Sequence, residues 1–169
     1  GLDIDYRVTA LPEVDESYPD TLSGEEIPLY ISQEKAAAYR RFMKDNTLLI
    51  TADTIVWLDG KVYGKPRDIA DAKAMLQALS GKTHTVITGV TLTSLQKQIS
   101  FAVSTEVTFA ALGDDEIDYY VETYRPLDKA GAYGVQEWIG YIGVTGLKGS
   151  YYNVMGLPIQ RLYTELKKF

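Results

Sequence analysis

The chain has 169 residues, 46% of them hydrophobic and 24% charged, a balance that suits one soluble globular domain with a proper core. It has no cysteine, which excludes disulfides, thiolate metal sites and a Cys nucleophile. A net charge of −6 argues against non-specific binding to a nucleic-acid polymer. No apolar run reaches membrane-spanning length and no signal peptide is read, so a cytoplasmic protein with no membrane partner is expected.

In chain order, the alternation of Ile4, Tyr6 and Val8 predicts a half-buried strand. Leu11 to Thr21 reads as a polar loop carrying Asp15 and Glu16. Ser23 and Glu26 have capping-box spacing, and a helix should follow with Ile31, Ala38 and Phe42 on one face. A strand segment around Asp53 comes next. Asp59-Gly60 then marks a hairpin that returns Val62-Tyr63 beside Val56 to Leu58. Asp68 starts a second helix with Ala72, Met75, Leu76 and Leu79 inward, and Ser80-Gly81 ends it. Thr85 to Leu95 and Ile99 to Leu112 predict a meander of antiparallel strands. Asp114 is expected to cap a third helix that buries Ile117, Tyr120, Val121 and Tyr124 and stops at Pro126. Gly131 to Val144 reads as strand and Gly149 to Gly156 as loop. Pro158 is expected to open a last helix with Ile159, Leu162, Tyr163 and Leu166 inward. The class is α/β (mixed α+β).

Asp53 stands out because it lies between the apolar runs Leu48-Leu49-Ile50 and Ile55-Val56-Trp57-Leu58. An unpaired carboxylate there is costly, so a capping role, a cation or catalysis must offset it. Glu16 is either a solvated loop residue or a second carboxylate converging on Asp53. Such a pair can hold Mg²⁺ or Mn²⁺, and one carboxylate can act as general base. The cations weighed are Lys35, Lys65, Arg67, Lys82 and Lys129. Lys35, beside the small residues Ala36 to Ala38, either points into a cleft or snorkels to solvent. Lys65, between Gly64 and Pro66, and Lys129, at a loop junction, could join it around a polyphosphate. Gln136 either reads a nucleobase edge or faces solvent. His84 is the single histidine and reads as structural. No Ser–His–Asp arrangement, GxGxxG or Walker loop is present.

Several segments fall in one order: Asp15-Glu16, Glu34-Lys35-Ala36, Ala52-Asp53-Thr54, Gly64-Lys65-Pro66, Ser80-Gly81-Lys82-Thr83-His84, Asp128-Lys129-Ala130-Gly131-Ala132-Tyr133, Gln136, and Gly149 to Pro158. Over nearly the whole chain this set resembles the Maf family of nucleoside triphosphate pyrophosphatases. The resemblance implies an elongated mixed sheet flanked by helices, a fold shared with inosine triphosphate pyrophosphatases. It implies hydrolysis of a nucleoside triphosphate to the monophosphate and pyrophosphate with a divalent cation, Mg²⁺ or Mn²⁺. It makes Asp53 the proton acceptor and, with Glu16, a metal ligand. Lys35, Lys65, Lys129, Thr54 and Gln136 become substrate-binding residues, and Thr54 and Gln136 resemble the subgroup acting on dTTP and UTP. Family members are commonly dimers, which leaves a homodimer open. They also open with a Ser-x-Ser-Pro-Arg-Arg type of loop, which nothing in this chain matches. Residues 1–169 are therefore expected to form one domain lacking that strand and loop. A non-catalytic nucleotide-binding regulator and an interaction module built on the 13 tyrosines are the competing readings.

Overall fold

Alternating and continuous apolar runs give long strands here, and the longest of them pair with one another. The computed structural model describes residues 1–10 and 14–169. Its elements are α1 (Glu26–Arg40), β1 (Leu49–Leu58), β2 (Lys61–Tyr63), α2 (Ile69–Leu79), β3 (Thr83–Thr93) and β4 (Gln98–Phe109). These are followed by α3 (Asp114–Tyr124), a 3₁₀ turn at Ala130–Ala132, α4 (Trp138–Gly143), β5 (Val144–Lys148), α5 (Tyr151–Met155) and α6 (Ile159–Lys168). The strands form one sheet in the order β2-β1-β3-β4-β5, and every pairing among the described residues is antiparallel.

The hairpin forms where Asp59-Gly60 predicts it, with φ of 51° and 76° at the two turn residues and Leu58 paired with Lys61. β2 pairs only with Val56 to Leu58, so the first part of β1 has no strand on that side among the described residues. Central β3 is covered on both faces and buried along nearly its whole length. On one face, Val56, Val86, Val107 and Phe109 pack with Leu76 and Leu79 of α2 and Ile117 and Val121 of α3. On the other, Ile55 and Ile87 pack against Ile27 and Ile31 of α1. Each such buried side chain contributes roughly 1.5–3 kcal/mol. Gly89 of β3 permits the close approach of α1, since a Cβ there would run into the backbone of Pro28 and Leu29. A third cluster, Val90, Leu92 and Phe101 with Leu162, docks α6. No helix of the described residues is long and apolar enough to cross a membrane.

Side-chain caps start α2 and α5, and a carboxylate reaching back to a backbone N–H supports the starts of α1 and α3. Asp68 accepts from the Asp71 N–H at 2.7 Å, as the sequence predicts. The Glu26 carboxylate accepts from the Ser23 N–H at 3.0 Å, which gives one half of the expected capping box. Asp114 lies inside the first turn of α3, and the cap is Gly113, whose N–H is taken by Glu116.

Several expectations are corrected. Ile4, Tyr6 and Val8 form no strand: they are 52%, 86% and 82% exposed and have no ladder partner among the described residues. Residues 11–13 of the expected first loop lie outside the described residues. Phe42 falls beyond the end of α1 and is exposed, as Tyr163 is on α6. Gly131 to Val144 is not a strand. Gly131 and Ala132 adopt φ of 68° and 61°, which breaks any extended run, and α4 follows. The Gly149 to Gly156 loop contains a short helix, α5, because the Ser150 hydroxyl caps it through the Asn153 N–H at 3.2 Å. Pro158 stands one position before α6 rather than inside it.

Candidate active site

Successive residues of a strand face opposite sides. Asp53 points toward α1, and Thr54 points toward the Gly156 end of α5. The open edge of β1 therefore collects groups from both faces of the sheet. One cleft there is lined by Lys35, Asp53, Thr54, Lys65, Lys129 and Gln136. These are the predicted site residues apart from Glu16, which joins them through two ion pairs.

Lys35 comes off α1 beside buried Ala36, where the small residues let the helix lie close to the sheet. Its Nζ stands 3.0 Å from Asp53 Oδ1, 3.2 Å from the Ala52 carbonyl and 3.3 Å from Glu16 Oε1. An ammonium has three N–H donors, and these three acceptors match them. The Asp53 side chain is 11% exposed. Burial raises its pKa, and the neighbouring ammonium does not fully offset that. Burial opposes the charge of Lys35 as well, but Asp53 and Glu16 together hold its pKa above the usual value. Glu16 is also raised by burial, yet Lys35 and Lys65 outweigh that and keep its carboxyl below the usual range. Lys65, more than half exposed, stands 3.4 Å from Glu16 Oε2. The result is a chain of alternating charge: Asp53, Lys35, Glu16, Lys65.

Two carboxylates joined at one cation suit a hard divalent ion. Mg²⁺ or Mn²⁺ needs only one or two protein carboxylates when water and substrate phosphates complete its shell. Among the described residues no group of three or more His, Cys, Asp or Glu is placed to hold a metal without such help.

Lys129 stands 3.1 Å from Asp128 and 3.4 Å from Glu137. Burial works against its charge, but the two carboxylates raise its pKa. Gln136 lies in a turn closed by the Glu137 N–H to Gly134 O hydrogen bond at 3.0 Å, not in a strand. Its side chain is exposed along the cleft and has no hydrogen-bond partner among the described residues, so both ends of the amide are available. Arg67 and Lys82 do not line the cleft; Arg67 is 86% exposed and pairs with Asp71.

The far wall is built on Thr88, which the sequence did not single out, and on Asn153 and Gly156 of the Gly149 to Pro158 segment. Thr54 Oγ1 lies 2.8 Å from Thr88 Oγ1 and 3.4 Å from Gly156 O, and Thr88 donates to Asn153 O at 3.3 Å. Asn153 is fully buried, and its amide donates to Val103 O and Thr105 Oγ1 at 3.0 Å, which clamps α5 onto the sheet. Val154, Met155 and Gly156 are thereby fixed at the cleft. For Thr88 the sequence carried no signal beyond its place in an apolar run, whereas Asn153 to Gly156 lie in one of the segments that carry the family resemblance. His84 is structural, as expected: it is buried, its Nε2 lies 2.6 Å from the Tyr133 hydroxyl, and it packs edge-on against Phe109.

Comparison with known proteins bears on the chain as a whole. The family model described as Maf-like protein matches residues 2–169. A dTTP/UTP pyrophosphatase of Phocaeicola vulgatus is 67% identical over 168 residues, covering 99% of this chain and 87% of that protein. One from Parabacteroides distasonis is 57% identical over 169 residues, covering 100% of this chain and 88% of that protein. One from Flavobacterium psychrophilum is 48% identical over 166 residues, covering 98% and 85%. With a match of this extent over the fold and cleft described above, the chain belongs to the Maf-like protein family.

Proposed function

We propose that residues 1–169 act as one cytoplasmic hydrolase domain that converts dTTP and UTP to the nucleoside monophosphate and pyrophosphate. The observation that carries this reading is the nearly buried Asp53 carboxylate at the mouth of a cleft lined by three lysines and a free amide. The names of the relatives point to the same reaction. They also disfavour the non-catalytic regulator, because an enzyme's name attaches to proteins matched along nearly all of this chain.

Asp53 takes the proton from a water that attacks the α-phosphorus, and pyrophosphate leaves. Its raised pKa makes it a stronger proton acceptor than an exposed carboxylate. Lys65 and Lys129 present charge to the triphosphate, and Lys35 keeps the two carboxylates from repelling each other. A divalent cation held by Glu16 and Asp53 would neutralise phosphate charge and polarise the phosphoryl oxygens. Gln136 offers a donor and an acceptor, which match the ring N–H and adjacent carbonyl of thymine and uracil. Thr54 shapes the opposite wall through Thr88 and Gly156.

A competition assay at equal concentrations of dTTP, UTP, CTP and purine triphosphates tests the substrate choice. The expected order is dTTP and UTP, then CTP, then the purines, and Gln136→Glu should weaken the preference. Preference of the unmutated protein for a purine such as 7-methyl-GTP would overturn it.

A further inference from the structure

We propose that Tyr120 and Glu137, neither of which lines the cleft, are positioning residues that fix the turn from which Gln136 reads the base. This inference rests on the nucleotide reading above. Gln136 has no side-chain partner among the described residues, so the place from which its amide meets a base is set by the backbone that carries it. That backbone is the turn closed between Gly134 and Glu137.

The turn is held from behind. Tyr120 of α3 is wholly buried among Leu76, Val121 and Tyr133 in the main core cluster. Its hydroxyl accepts from the Gly134 N–H at 3.0 Å and donates to Glu137 Oε1 at 3.2 Å. One phenol thus pins both ends of the same turn. Lys129 Nζ stands 3.4 Å from that same Oε1. There is little slack in the arrangement. A Cβ on Gly134 would collide with Glu137 Oε1 and stand 3.0 Å from Lys129 Cε.

A buried hydroxyl must find partners, so a residue needed only for packing at this place would be Phe. The hydroxyl of Tyr120 links the rigid core to the base-reading turn. That link has a functional consequence. Thymine and uracil differ from cytosine in the direction of the hydrogen bonds an amide must make, and an amide that can flip accepts both. A fixed turn sets where that amide meets the base edge, the part of discrimination that the protein's own contacts control. Glu137 adds a second effect, since it also anchors Lys129 toward the phosphates.

The test measures kcat and KM for dTTP, UTP and CTP with the unmutated protein, Tyr120→Phe and Glu137→Gln, alongside melting curves. Binding of α,β-imido dTTP and α,β-imido CTP is read by calorimetry. Tyr120→Phe should lower the dTTP-over-CTP preference about tenfold, through KM and binding, with kcat for dTTP changed less than about twofold. Glu137→Gln keeps an acceptor for Tyr120 but removes the charge facing Lys129. It should keep the base preference and raise KM about threefold for all three triphosphates alike. A Tyr120→Phe protein that retains its base preference would overturn the inference, as would a Glu137→Gln protein that loses it. The calorimetry separates the two readings. Analogue binding with base preference but no hydrolysis of dTTP would sink the hydrolase assignment, while the variants would still decide the role of Tyr120.

Discussion

Lys35 Nζ lies 3.0 Å from Asp53 Oδ1, yet the carboxylate still has a raised pKa, because burial outweighs the cation beside it. The same ammonium also meets Glu16 and the Ala52 carbonyl. Asp53 is thus stressed in its ionised form, while its charge is oriented by a partner with no spare donor.

The first consequence concerns Asp53→Asn. On the proposed mechanism the variant loses the base and one carboxylate offered to the cation while keeping the shape, so hydrolysis should fall about 10²–10⁴-fold. The amide oxygen still accepts from Lys35, and Glu16 still balances that ammonium, so the variant should stay folded and melt cooperatively at pH 7. A large drop in melting temperature would contradict this account of the site.

Lys35→Met should cost more stability than Asp53→Asn does. It strands a carboxylate that is only 11% exposed, at a cost of about 3 kcal/mol. Adding Asp53→Asn should recover most of that loss, because the stranded charge is gone. Denaturant unfolding of the two single variants and the double variant forms the cycle. Additive effects would show that the pair is not coupled.

How legible these features were from the sequence depended on how local their causes are. The Asp59-Gly60 hairpin, the Asp68 cap and the β3–β4 meander follow from short patterns, and all three form as expected. Asp53 was visible because a carboxylate in an apolar run demands a partner, although Lys35, 18 residues away, could not be named as that partner from spacing alone. Gly131 to Val144 was misread because its aromatic and β-branched residues suit a strand while two left-handed residues and α4 break it. Ile4 to Val8 alternates like a strand, but alternation creates no ladder without a neighbour. The contacts of Thr88, Asn153, Tyr120 and Glu137 behind the cleft were illegible because they form across the fold. Asn153 and Thr105 meet 48 residues apart, and Thr54 and Thr88 meet 34 apart.

His84 supplies a pH prediction on stability alone. Burial lowers its pKa from 6.5 to about 4. Between those values the unfolded chain binds a proton that the folded protein does not, so this residue makes stability fall as pH drops from 6.5 toward 4. The full effect is about 3 kcal/mol and is absent above pH 6.5. Melting curves across that window should show a shallower slope for His84→Gln, which retains polar groups for Tyr133. An unchanged slope would assign the acid sensitivity to other groups.

The central claim is attack of water at the α-phosphorus of a pyrimidine triphosphate, and an isotope experiment tests it most directly. The protein is incubated with dTTP and Mg²⁺ or Mn²⁺ in ¹⁸O-water, and the products are separated and weighed by mass spectrometry. The account predicts dTMP and pyrophosphate as products, one ¹⁸O in dTMP and none in pyrophosphate, and no turnover in EDTA. Formation of dTDP and phosphate, or ¹⁸O in pyrophosphate, would contradict it, as would the absence of turnover with either metal.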